Sequence, residues 1–162
     1  MTVKIFTTGG TLDKVYFDAQ SDFQVGDPGI VELLHEANVA FDYDVESLMR
    51  KDSLELTDED RALIRKRVAS ETASRILITH GTDTMIETAR QLIDIEHKTI
   101  VLTGSMQPAR LRVSDAAFNV GAAVVAVQTL PFGVYVVMNG CVFDPRTARK
   151  NRGRQRFEVV GN

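Results

Sequence analysis

The sequence predicts a doubly wound α/β fold: one mostly parallel β-sheet with helices on both faces. Three observations carry this. Apolar, β-branched runs alternate with stretches of helical periodicity along the chain. Two of the runs, RILITH and TIVLTG, are almost continuously hydrophobic, as strands covered on both faces must be. The length, 162 residues, suits a single domain with one sizeable core, so residues 1–162 are expected as one unit without a second domain.

In order, the expected strands are Val3–Thr7, Val39–Val45, Arg75–Thr79, Thr99–Thr103 and Gly133–Met138. The expected helices are Pro28–Ala37, Asp58–Glu71, Asp83–Ile93 and Asp115–Thr129. Asp27-Pro28 reads as a cap followed by proline at the first helical position, and Thr57 precedes the acidic first turn of the second helix. Ser114-Asp115 opens the fourth helix, whose Ala, Val and Phe content predicts extensive burial. Val15–Gly26, rich in Asp, Gln and Ser, is expected to be a long irregular loop beside the opening motif, in the manner of a lid. The tail DPRTARKNRGRQR sets six basic residues between Arg146 and Arg156, an expected solvated or subunit-contacting arm.

Bulk properties narrow the function classes. Hydrophobic residues make up 44% and charged residues 25%, the balance of an ordinary globule, and the formal charge of −3 implies no general attraction to nucleic acid or membrane. One cysteine, Cys141, allows no intrachain disulfide, and the start MTVKIFTTGG lacks the long apolar stretch of a signal peptide. A cytoplasmic location is the default expectation. The three histidines share no metal-ligand spacing with each other or with Cys141. Neither a metal nor a cofactor is expected, and His80 reads as a hydrogen-bonded structural residue.

In open α/β sheets ligands bind beyond the carboxyl ends of the strands. Those ends here collect Thr8-Gly9-Gly10-Thr11, then Asp52 and Ser53, then His80-Gly81-Thr82-Asp83-Thr84, then Gly104-Ser105, then Asn139-Gly140. Such a rim of hydroxyls, glycines and one carboxylate suits a small polar substrate. It holds no G-x-G-x-x-G or P-loop for a nucleotide, and no G-x-S-x-G elbow. In TTGGTLDK the glycines serve equally a tight turn or a close approach to a ligand, and a hydroxyl such as that of Thr11 needs a base before it can attack. Thr82 beside Asp83 offers a second hydroxyl and a carboxylate, Lys150 a cation, and the glycine amides of the first turn a hole for an oxyanion.

TTGGTLDK, LITHGTDTM, VLTGSMQPA and VVMNGCVFDPRTARK, in this order, resemble the bacterial-type L-asparaginases, threonine amidohydrolases that convert asparagine to aspartate and ammonia. The resemblance runs from residue 3 to about residue 151. It implies Thr11 as the nucleophile and Thr82, Asp83 and Lys150 as the second threonine with its activating partners. It further implies Ser53, with Asp52, Gly10, Gly81 and Asp83, around the substrate, and no cofactor. The implied partner is a small-molecule substrate, asparagine or glutamine, and the implied assembly is a homo-oligomer. Two departures stand out. The family's usual chain carries a smaller C-terminal domain, whose substrate contacts would here be lacking or rebuilt. The family's loop tyrosine is Phe23 here, which leaves Tyr16, five residues after Thr11, as the phenol that could reach back. Alternatives are a glutaminase or the amidase component of an amidotransferase, and a domain that binds an amino acid without turnover.

Overall fold

A computed structural model describes residues 1–17 and 22–161, with only the backbone of residues 16, 17, 22 and 23. Its central sheet has six strands. In chain order these are β1 (Val3–Gly9), β4 (Tyr43–Lys51), β5 (Arg75–Thr79), β6 (Thr99–Thr103), β7 (Gly133–Met138) and β8 (Cys141–Phe143). They lie in the order β4-β1-β5-β6-β7-β8, all parallel but for β8, which runs antiparallel to β7. Two hairpins stand outside this sheet, β2 (Lys14–Phe17) with β3 (Asp22–Val25) and β9 (Ala148–Asn151) with β10 (Arg156–Val159).

Period-two alternation divides the core. In β5, Ile76 and Ile78 face one side and Leu77 the other. The first side packs against Ile64 and Val68 of α2 (Asp58–Ser70) and Met85 and Ala89 of α3 (Met85–Arg90). The second packs against Ile30 and Leu34 of α1 (Gly29–Glu36) and Val120, Ala123 and Val127 of α4 (Ala116–Thr129). Helices therefore cover both faces, as the apolar strands require. The expected bounds of β5, β6 and β7 match, because a strand buried on both sides must be apolar throughout. Thr57 caps α2 with a full capping box to Asp60.

Elsewhere the elements differ from expectation. The second strand begins at Tyr43, not Val39, and continues through Lys51. Asn38, at φ 47°, ends the first helix, and Val39 and Phe41 pack beside the core as loop. β4 is an edge strand, so its charged residues are tolerated: Arg67 grips Glu46 and Lys4 bridges Asp44 and Glu46. Pro28 is the cap of α1 rather than its first residue, and the Gly29 amide donates instead to Asp13 Oδ1 at 2.8 Å. The third helix is short, because Thr84 donates to the Ser53 carbonyl (2.8 Å) and Asp83 stays in the turn before it. The expected burial of α4 holds for one face; Phe118 and Val125 on the other are exposed.

The stretch expected as an irregular loop is in part the β2–β3 hairpin, and the expected basic arm is the β9–β10 hairpin. This second hairpin is anchored. Phe157 and Ala148 are buried against Phe143, the Phe157 amide donates to Asn139 Oδ1 (2.8 Å), and Arg90 of α3 donates to the Pro145 carbonyl (2.8 Å). Removing the ring in Phe157→Ala should cost about 3 kcal/mol, the scale of a large core truncation. Urea denaturation with an unchanged slope would record it; stability equal to the parent would show that the hairpin shares none of the core.

Candidate active site

β1 pairs with β4 on one side and β5 on the other, so the chain reverses its winding between the carboxyl ends of β1 and β5. A ligand crevice belongs at that point in a doubly wound sheet. Both strands leave it through glycines. Gly10 has φ 82°, and a Cβ there would sit 2.5 Å from Gly81 Cα and N. Main chain cannot yield by that much, so the two turns touch only because neither residue has a side chain. Behind them a Cβ on Gly81 would strike Ser53 Cβ at 2.5 Å, which stacks the three exits of β1, β5 and β4 in contact. Thr11 and Thr82 are the residues that follow the two abutting glycines.

Thr11 opens a single 3-10 turn, Thr11–Asp13, and is half-buried. Thr82 is buried, and Lys150 Nζ donates to its Oγ1 at 2.7 Å and to Asp83 Oδ1 at 2.8 Å. Among the described residues the Thr82 hydroxyl proton is directed at Met106 Sδ, 3.8 Å away. Thioether sulfur is a weak acceptor, so a better one brought by a ligand would displace it. Lys150 and Asp83 are both largely shielded from solvent, at 15% and 27% side-chain exposure. Removing Asp83 would therefore leave the poorly solvated Lys150 ammonium without its carboxylate partner.

The surrounding residues fix this group. Asp52 caps the turn Ser53–Glu55 through the Leu54 amide and pairs with Lys14 Nζ at 2.9 Å. Burial works to raise its pKa, but Lys14, the Leu54 amide and the more distant Lys150 prevail and hold the carboxyl below its ordinary range. Ser53 is buried, with its side chain against Gly81. His80 is wholly buried. Its Nδ1 lies 2.7 Å from the Gly81 carbonyl, which can only accept, so Nδ1 carries the proton and Nε2 accepts from Thr88 Oγ1 at 2.8 Å. Burial, aided by Arg61 and opposed by the Gly81 carbonyl, lowers its pKa to about 4. It is a neutral structural hydrogen-bonder.

The structure thus brings Thr82, Asp83 and Lys150 into direct contact, and Asp52, Ser53, Gly10, Gly81 and Thr11 into the turns around them. One expectation changes. The Gly10 amide donates to the Lys51 carbonyl at 2.8 Å, so it is not free to hold an oxyanion. The main chain of Tyr16 lies in β2 opposite Phe23, but the side chains of both fall outside the described residues. A larger cleft of about 770 Å³ lies beyond the opposite end of β7, lined by His97, Phe132, Gly133 and Arg146; no hydroxyl-lysine pair lines it. Among the described residues no three metal-ligating side chains converge, and no helix is long and apolar enough to cross a membrane.

The chain matches the family model described as "Asparaginase, N-terminal" over residues 2–159. It is 31% identical over 164 residues to L-asparaginase 2 of Escherichia coli K12, which takes in 91% of this chain and 46% of that protein. Over 110 residues it is 36% identical to a glutaminase-asparaginase of Acinetobacter glutaminasificans, across 65% of this chain and 32% of the relative. The solved thermostable L-asparaginase from Thermococcus kodakarensis superposes with a TM-score of 0.83 at 25% identity, covering 98% of this chain and 51% of that one. The chain spans about half the length of the L-asparaginases it matches.

The burial of one charged residue in the opening motif was not legible in the sequence. Asp13 is buried, and its Oδ1 accepts from the Gly29 amide. Its own carbonyl accepts from the Gly26 amide at 2.8 Å, so it ties the foot of the β2–β3 hairpin to the start of α1. Burial pushes its carboxyl from 3.8 up to about 7 against the Gly29 amide, Arg110 and Arg50. A carboxyl raised in the folded state lends stability that is complete below its unfolded value and lost as pH rises through the folded one. The full effect is at most about 4 kcal/mol, at about 1.4 kcal/mol per pH unit. Asp13→Asn keeps an acceptor for Gly29 and carries no charge. Its melting temperature should exceed the parent's near pH 8, with the gap narrowing below about pH 7 and closing only near pH 4, at the unfolded value. Thermal melts of both proteins across that range decide it, and a gap independent of pH would contradict the assignment.

Proposed function

The chain belongs to the asparaginase family, and from that membership we propose that it is an amidohydrolase that releases ammonia from L-asparagine through an acyl-threonine intermediate. The observation that supports this best is the contact of Lys150 with Thr82 and Asp83 beside the turn that carries Thr11. Lysine, threonine and aspartate have come together across 68 and 67 residues of chain, at the crevice where ligands bind in this fold.

In the proposed reaction Thr11 Oγ attacks the side-chain amide carbon. Negative charge gathers on the amide oxygen, held by main-chain N–H groups of the two turns other than that of Gly10. The carbon–nitrogen bond breaks, the nitrogen takes up a proton and leaves as ammonia, and an ester to Thr11 remains. Water then adds to the ester carbon, the bond to Thr11 Oγ breaks, and aspartate departs with the threonine hydroxyl restored. Lys150, paired with Asp83, polarises the Thr82 hydroxyl, which relays protons to and from the reacting atoms. Ser53 and Asp52 border the substrate on the β4 side. A cytoplasmic setting and a homo-oligomeric enzyme accompany the proposal, as does Tyr16 as the phenol that replaces the one missing at Phe23.

The glutaminase-asparaginase relative keeps glutamine hydrolysis as the second reading. Ammonia release from the purified protein with each amide separates the two. The rate should be higher with asparagine and unaffected by a chelator, and Thr11→Ala should abolish it while far-UV circular dichroism and melting temperature stay near the parent's. Near-native turnover by Thr11→Ala would overturn the mechanism, and faster turnover of glutamine would overturn the specificity.

A further inference from the structure

The carboxylate of Asp83 meets a second cation that the hydrolytic chemistry does not use. Arg152 Nε lies 3.2 Å from Asp83 Oδ1, the same oxygen that Lys150 Nζ approaches at 2.8 Å. The placement follows from the hairpin. Alternation along β9 turns Ala148 into the core and Lys150 toward Asp83, while Arg149 and Asn151 on the other face both bond Glu158 Oε1. Arg152 continues the inward set at the first position of the turn. That turn is held by the Arg154 amide on Asn151 Oδ1 (3.1 Å) and the Gln155 amide on the Arg152 carbonyl (3.3 Å). Its side chain stays 68% exposed and borders an open cleft of about 430 Å³ with Asp83, Glu87, Arg90 and Lys150.

Two cations on one carboxylate leave this group with a net charge of +1. The neighbouring acids do not cancel it: Asp52 is paired with Lys14, and Glu87 lies 3.4 Å from Arg61. A substrate ammonium arriving here meets a carboxylate already shared between two positive groups. A substrate carboxylate meets a guanidinium whose Nη atoms still present the planar fork that carboxylates fit.

We propose that Arg152 is a specificity-determining residue of this site, and that it favours monoamides of dicarboxylic acids, which bring a carboxylate and no ammonium to the Asp83 end, relative to the zwitterionic amino-acid amide. The proposal rests on the amidohydrolase reading and names its substrate class. Because the guanidinium is exposed, the preference is modest and weakens with salt.

The experiment compares kcat/KM for succinamic acid and for asparagine in the parent, Arg152→Gln and Arg152→Lys. The ratio of the two should fall about twofold to fivefold in Arg152→Gln, on the scale of a single exposed charge pair. The change should lie in KM, and Arg152→Lys should restore part of it. High ionic strength should shrink the difference between parent and Arg152→Gln. A ratio unchanged in Arg152→Gln overturns the assignment, and so does an equal loss of kcat on both substrates. Calorimetric titration with succinate and with aspartate reads the same preference without turnover. The parent should favour succinate more than Arg152→Gln does, and equal preferences in the two proteins would overturn the proposal. Absence of ammonia release from both amides would overturn the amidohydrolase reading itself, whatever the titrations show.

Discussion

One lysine closes this structure. Lys150 joins the last hairpin to the turn after β5, and its bonds to Thr82 and Asp83 cross 68 and 67 residues of chain. A long, flexible ammonium holds two partners only if its backbone is fixed, since ordering a free lysine side chain costs as much as 2 kcal/mol of rotamer entropy. The hairpin meets that need with hydrophobic burial. Phe157 and Ala148 sit in the same cluster as Ile78 and Met85, and Asn139 at the end of β7 holds the Phe157 amide. The inward face of the basic segment thus serves the core through Ala148 and Phe157 and the site through Lys150.

The second constraint is the absence of side chains. Gly10 and Gly81 let the exits of β1 and β5 approach to a distance that no Cβ permits, and Ser53 closes on Gly81 from the third side. This contact lies at the reversal of the winding order, where the sheet leaves a crevice. It puts Thr11, Thr82 and the Asp52-Ser53 turn on neighbouring segments, though they come from three separate parts of the chain. The hydrogen bonds of His80 to Gly81 and Thr88 then keep the middle turn from shifting.

How far this was legible in the sequence depended on burial. The strands β5, β6 and β7 could be read to the residue because both their faces are apolar. β4 could not, because an edge strand takes charged residues on its open side and the more apolar Val39–Phe41 stretch drew the assignment away from it. The β9–β10 hairpin hid behind its arginines: only Ala148 and Phe157 face the core, too few to set up a visible alternation. For the site, the strand exits pointed to Thr11, Ser53, Thr82 and Asp83, whereas Lys150 entered only as a cation that the chemistry of a threonine hydroxyl would need and that the resemblance also implies, since a lysine in a basic run looks like solvated surface. Asp13 was missed because its burial is a product of the tertiary fold; in sequence it is one more polar residue after a glycine turn.

The central claim is that Thr82 and Lys150 work as one unit, and a double-mutant cycle tests it most directly. Residues that act together lose their joint contribution when either is removed, so the losses do not multiply. Rates of ammonia release from asparagine would be compared for the parent, Thr82→Ala, Lys150→Met and the double variant. Each single change should lower kcat/KM on the order of 100-fold, and the double variant should fall little below the poorer single one. A double variant slowed by the product of the two single losses would show that the two residues act independently, and would contradict the account.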